Sequence, residues 1–166
     1  TLMYEKNKQN IRGGIIISGS HNPPEWNALK LVSYTTFLNQ LELNQICSIL
    51  KKIELNDFNN KIKKNKNKIT KISPMRGYIK AINNNLDYKS IKKKNDLKVI
   101  VDTGAGAGKF VTPKLLKGLG CDVISINNDL DENGDFPRNI EPIEKNLEDL
   151  IMKVWNEKAD IGFAHD

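Results

Sequence analysis

Between Leu97 and Ala164, short apolar runs alternate with helical patterns, and few folds tolerate that order. Leu97–Asp102 reads as a strand, Pro113 to Leu119 as a helix closed by Gly120, and Cys121–Ile126 as a strand. Pro142–Lys158 reads as a helix and Ala159–Ala164 as a third strand. Such alternation predicts a parallel sheet, because consecutive parallel strands need a crossover long enough to return to the starting edge, usually a helix. In the second helix Ile143, Leu147, Leu150, Ile151, Val154 and Trp155 share a face, which assigns Trp155 to the core.

Upstream, Gly13–Ser18 is β-branched and bounded by glycine and polar residues, as a buried strand should be, and Ala28–Val32 reads as a second strand. Asn39 followed by Glu42 forms an Asn-type capping box, and Leu41, Ile46, Ile49, Leu50 and Ile53 keep helical spacing to one face. Asp57 to Ile72 is low in complexity and reads as a surface excursion. Ser73 with Pro74 opens a further helix, whose stripe is Met75, Tyr78, Ile79, Ile82 and Leu86. The charged, glycine-free stretch Lys89–Asp96 serves as the boundary, giving domains 1–92 and 93–166. The expected fold is α/β, with two partial three-layer α/β/α domains and mixed or mostly parallel sheets. No internal repeat emerges.

Charge narrows the function classes. The net charge is +6, yet Lys51–Lys98 holds fifteen Lys or Arg against four Asp or Glu, and the remainder is net negative. A basic patch of this kind can grip nucleic acid, but no aromatic residue interleaves with Lys61–Lys71 to stack on bases. Lys, Asn and Ile dominate the segment, a composition that drift on a solvated face explains, so nucleic acid is not an expected partner. A non-catalytic basic binding module is the alternative of a different class. No eighteen-residue apolar run and no signal-peptide pattern occurs, so a soluble cytoplasmic protein without a membrane partner is expected. Cys47 and Cys121 are far apart, lie in apolar stretches, and read as core thiols.

The chemistry-bearing feature is Ser18-Gly19-Ser20-His21-Asn22-Pro23-Pro24-Glu25-Trp26-Asn27, a polar loop between the first two strands. It sets a hydroxyl beside an imidazole, with Gly19 allowing a tight turn and the prolines stiffening the exit. Lys30, in the following strand, adds a fixed positive charge suited to an anionic group or to proton transfer. On these residues alone, nucleophilic catalysis and an accidental Ser-His neighbour both remain open, since no third partner of a triad is evident. Gly104-Ala105-Gly106-Ala107-Gly108 after a strand invites a dinucleotide-binding reading. Its spacing argues against that: Lys109 stands where a third glycine is needed, and Asn127 and Asn128 end the next strand in place of a ribose-binding acid.

Ser-Gly-Ser-His-Asn-Pro-Pro-Glu-Trp-Asn-Ala-Leu-Lys resembles the α-D-phosphohexomutase pattern Thr-Ala-Ser-His-Asn-Pro followed by an Asn-Gly-x-Lys turn. Ser18 and Gly19 replace Thr and Ala, and Ala28 takes the glycine position. Val-Asp-Thr-Gly-Ala-Gly-Ala-Gly, Gly-Leu-Gly-Cys-Asp-Val, Asn-Gly-Asp-Phe-Pro-Arg-Asn-Ile-Glu-Pro and Ala-Asp-Ile-Gly-Phe-Ala-His-Asp are similar to the family's second domain. The resemblance implies that Ser20 carries a phosphoryl group, that His21 and Lys30 are candidate general acid or base, and that Asn22 and Asn27 shape the loop. It implies Mg²⁺ as cofactor, with Ser20 and Asp166 as ligands. By this resemblance Asp166 stands where the first carboxylate of the family's Asp-x-Asp-x-Asp-Arg loop belongs, a loop only begun within these residues. His165 supports that loop or merely ends a strand; the second reading is preferred.

The resemblance therefore implies a piece of a phosphohexomutase, inactive by itself. The family interconverts hexose 6-phosphate and hexose 1-phosphate through a phosphoserine and a bisphosphorylated sugar. The Trp-Asn-Ala-Leu-Lys version looks most like phosphoglucosamine mutases, with phosphomannomutase or phosphoglucomutase as the alternative. The expected partner is a hexose phosphate, and oligomeric state is open.

Overall fold

A computed structural model describes residues 11–20, 22–23, 25–33, 36–53 and 69–166. The chain divides into two compact units, Thr1–Ser18 with Ala28–Pro74, and Gly19–Asn27 with Met75–Asp166.

In the first unit, β1 (Gly14–Ile17) pairs antiparallel with β2 (Leu29–Val32), Ile16 standing opposite Lys30. Helix α1 (Gln40–Leu50) begins on the expected capping box. The Asn39 side chain accepts from the Glu42 N–H, and the Glu42 carboxylate accepts from the Asn39 N–H. This motif forms because it satisfies two helix-end donors with residues three apart, using local geometry alone. Burial departs from expectation. Ile15 and Ile17 are 61% and 73% exposed, so β1 is not a buried strand. Leu41, Ile49 and Leu50 of α1 are likewise exposed, as is Cys47, which is no core thiol. Their periodicity is real, but none of the described residues covers them.

The second unit contains α2 (Met75–Asn83), α3 (Tyr88–Lys94), β3 (Lys98–Asp102), α4 (Thr112–Gly118), β4 (Asp122–Ile126), α5 (Glu148–Glu157) and β5 (Ile161–Ala164). The three strands form a parallel sheet in the order β4-β3-β5. β3 is central, and Val99, Ile100 and Val101 are essentially inaccessible, as expected of a strand covered on both faces. Val99 and Val101 pack with Val123 of β4 and with Leu116 of α4. Ile100 points the other way, in register with Gly162 of β5. A methyl on Gly162 would meet Val154 and Leu150 of α5, so α5 lies on that face. Helix, sheet and helix thus form the three layers expected of this half.

The expected single helix Pro142–Lys158 is instead a 3₁₀ turn, Glu144–Asn146, followed by α5. The Asn146 amide donates to the Glu141 carbonyl at 2.8 Å, and a side chain bonding local backbone competes with the α-helical ladder. α5 buries Leu150, whereas Trp155 is 79% exposed and Ile151 44%. Trp155 is therefore a surface residue: sharing a face with Leu150 did not bring it under cover.

Candidate active site

Backbone hydrogen bonds hold the described residues of the serine loop. The Ser18 N–H donates to the Ala28 carbonyl at 3.0 Å, and the Trp26 N–H donates to the Pro23 carbonyl at 3.0 Å. Both the backbone N–H and the side-chain amide of Asn22 donate to the Gly19 carbonyl, at 3.2 and 2.9 Å. Gly19 lies so close to the Trp26 carbonyl that a Cβ would stand 2.3 Å from its oxygen. Ser20, at the apex, is exposed and has φ 59°, a left-handed backbone that costs a non-glycine residue about 1–2 kcal/mol. Strain of this kind persists only where the surroundings impose it, and it concentrates at functional sites.

His21 lies outside the described residues. Asn27 is exposed at the exit of the loop, and Lys30 is half-buried in β2. Asp166 is exposed just beyond β5. Among the described residues no three His, Cys, Asp or Glu side chains gather as a metal site, so Asp166 offers one hard oxygen ligand.

At the carboxyl ends of the strands, where parallel α/β sheets place their sites, lies a network that the sequence did not single out. Asp102, the last residue of β3, is fully buried, and the Arg138 side chain is 7% exposed. Arg138 Nε donates to Asp102 Oδ2 at 2.9 Å, as does the Asn127 amide at 3.0 Å. Asp102 Oδ1 accepts from the Gly104 N–H at 2.9 Å. Arg138 Nη1 donates to the Asn139 and Ile140 carbonyls, each at 2.8 Å, and Nη2 donates to the His165 carbonyl at 2.6 Å. The His165 N–H in turn donates to the Asp102 carbonyl at 2.9 Å. Each charge is thus paired and further hydrogen-bonded, the condition under which a buried ion pair is tolerated. The signal in the sequence was an acid ending an apolar strand, with an arginine in a later loop; nothing local links positions 36 apart.

The glycine-rich turn feeds the same network. Gly104 (φ 53°) passes within 3.1 Å of Arg138 Nη2, measured from where a Cβ would sit, and Ala105 also has positive φ, 54°. The N–H groups of Gly104, Ala105 and Gly106 are taken by the Asp102 carboxylate, the Asn127 carbonyl and the Thr103 carbonyl. The turn is scaffold, with these donors already occupied rather than offered to a pyrophosphate. The His165 ring sits over Gly108, and its backbone is clamped on both sides. The loop that carries Arg138 also lines an open cleft of about 580 Å³ together with Asn22 and Pro23 of the serine loop.

Comparison with known proteins identifies the family. Residues 76–166 match the family model described as phosphoglucomutase/phosphomannomutase, alpha/beta/alpha domain II, and residues 1–57 match that of domain I. The chain belongs to the phosphoglucomutase/phosphomannomutase family. A Thermococcus kodakarensis phosphoglucomutase/phosphomannomutase is 38% identical over 99% of this chain and 35% of its own length. A Pseudomonas putida phosphomannomutase/phosphoglucomutase is 37% identical over 99% of this chain and 33% of its own. A Pyrococcus abyssi protein named probable phosphoglucosamine mutase is 37% identical over 92% of this chain and 32% of its own. A crystal structure of a phosphoglucomutase/phosphomannomutase family protein from Burkholderia thailandensis superposes with TM-score 0.62 at 26% identity, covering 90% of this chain and 30% of that one. The chain thus spans about a third of the length of the curated relatives it matches. Among its described residues no helix is long and apolar enough to cross a membrane.

Proposed function

We propose that the protein carrying this chain is a phosphohexomutase in which Ser20 holds the transferred phosphoryl group. The observation that carries this reading is Ser20 itself: an exposed residue at the apex of a self-bonded loop, on a backbone of φ 59° that a serine adopts only under constraint. In the reaction a hydroxyl of the sugar attacks the phosphorus. The bond between phosphorus and Ser20 Oγ breaks as the new P–O bond forms, and the hydroxyl proton passes to a base, for which His21 and Lys30 are the candidates. The bisphosphorylated sugar then turns over: Ser20 Oγ attacks its other phosphorus, the bond between that phosphorus and the sugar oxygen breaks, and the base returns the proton to that oxygen. Catalysis here is positioning and charge neutralisation, which a strained, pre-shaped loop favours by fixing the phosphorus before the sugar arrives.

A bound Mg²⁺ would neutralise phosphoryl charge at this site. Asp166 fits as one hard oxygen ligand, exposed at the carboxyl end of the sheet, with a phosphoserine oxygen as another. The substrate is a hexose phosphate. Glucosamine phosphate is favoured by Trp26-Asn27-Ala28-Leu29-Lys30, while relatives of near-equal identity are named for glucose and mannose phosphates as well as glucosamine phosphate.

Mass spectrometry of the whole protein tests this reading. Phosphate is expected on Ser20, and Ser20→Ala is expected to abolish turnover of glucosamine, mannose and glucose phosphates alike. Full turnover by Ser20→Ala with no phosphate on Ser20 in the unsubstituted protein refutes it.

A further inference from the structure

We infer that Arg138 is a positioning residue, clamping the backbone from which Asp166 reaches a divalent cation. This inference rests on the reading of Asp166 as a cation ligand and concerns a residue that never touches the ion. Asp166 itself is exposed and is the residue next to the clamp, so its aim depends on the peptide before it. That peptide is held from both directions: the His165 N–H bonds the Asp102 carbonyl, and the His165 carbonyl accepts from Arg138 Nη2 at 2.6 Å.

Arg138 is suited to the task because its planar fork is spent on fixed partners, namely Asp102, two carbonyls of its own loop, and His165. With the side chain 7% exposed against a fully buried carboxylate, water has little access to loosen it. Lysine at this position would keep the charge opposite Asp102 but present a single ammonium, too few directed donors to hold the loop and the strand end together. Residues that orient metal ligands without touching the metal change affinity by about 10–100-fold when replaced.

The test is calorimetric titration of Mg²⁺ into the whole protein, with Mn²⁺ electron paramagnetic resonance as a second readout of the bound ion. Asp166→Asn is the reference, and Glu157→Gln, which breaks an ion pair with Lys98 at the opposite end of the sheet, is the stability control. Arg138→Lys is expected to weaken Mg²⁺ binding about 10–100-fold and to alter the Mn²⁺ spectrum, while Glu157→Gln leaves both unchanged. If Asp166→Asn loses the ion but folded Arg138→Lys binds like the unsubstituted protein, the positioning role is overturned and the reading of Asp166 stands. If Asp166→Asn binds normally, that reading fails and the inference with it. Should Arg138→Lys not fold, amide exchange in the unsubstituted protein decides: the His165 N–H is expected to be protected like that of Val101, and rapid exchange there overturns the clamp.

Discussion

Replacing Asp102 by Asn removes one charge from a buried pair while keeping the shape. In the native network both carboxylate oxygens accept hydrogen bonds: Oδ1 from Gly104, Oδ2 from Arg138 and Asn127. An amide has one acceptor oxygen, so its NH₂ must face a donor, either Arg138 Nε and the Asn127 amide or the Gly104 N–H. Arg138, 7% exposed, also keeps its charge without a counter-ion. Breaking a buried pair by removing one partner costs about 3–5 kcal/mol, a large share of the roughly 5–15 kcal/mol by which domains are stable. Urea denaturation followed by circular dichroism measures the loss. Because two units need not unfold together, amide exchange at Val99, Ile100 and Val101 isolates the second one. Adding Arg138→Met should recover part of the cost, since the buried cation left without a counter-ion is then gone. A loss below about 1 kcal/mol for Asp102→Asn, the range of an exposed pair, would refute the view that this network holds the strand ends.

Ala105 has φ 54°, so Ala105→Asn, a residue that tolerates the left-handed region, should stabilise the second unit by up to about 1 kcal/mol, read as a rise in melting temperature. Hydrogen bonds from Lys98 and then Lys153 hold the Glu157 carboxyl at about 2 against its usual 4.5. A lowered carboxylate pKa stabilises the fold above the unfolded value, so this contribution is complete above pH 4.5 and lost as pH falls toward 2; NMR titration of the carboxyl should show the low midpoint in the native chain and a higher one in Lys98→Met. Gly19→Ala would drive a Cβ into the Trp26 carbonyl 2.3 Å away, and the expected outcome is an opened serine loop with at least tenfold slower phosphorylation of Ser20, measured by mass spectrometry over time.

Local patterns in this chain translated well. The Asn39–Glu42 box and the strand-helix alternation after Leu97 depend on neighbours within a few residues, and both are present. Cys47, Ile17, Leu41 and Trp155 show where such reading ends. Periodicity states which side chains share a face; whether a second surface arrives to cover that face is a property of the packed molecule. The expected continuous helix from Pro142 failed for a local reason, because the Asn146 side chain found a backbone carbonyl five residues upstream.

By itself, then, the sequence determined the class of fold, the order of elements and the loop in which a hydroxyl is displayed, since hydrophobic period, caps and turn residues act over a few positions. Only the tertiary structure decided that Asp102 and Arg138 meet, that Ser20 bears a left-handed backbone, and that His165 is clamped beside Asp166. Those outcomes come from chain segments brought together by burial, and no local rule in the sequence specifies which distant partner a buried charge will find.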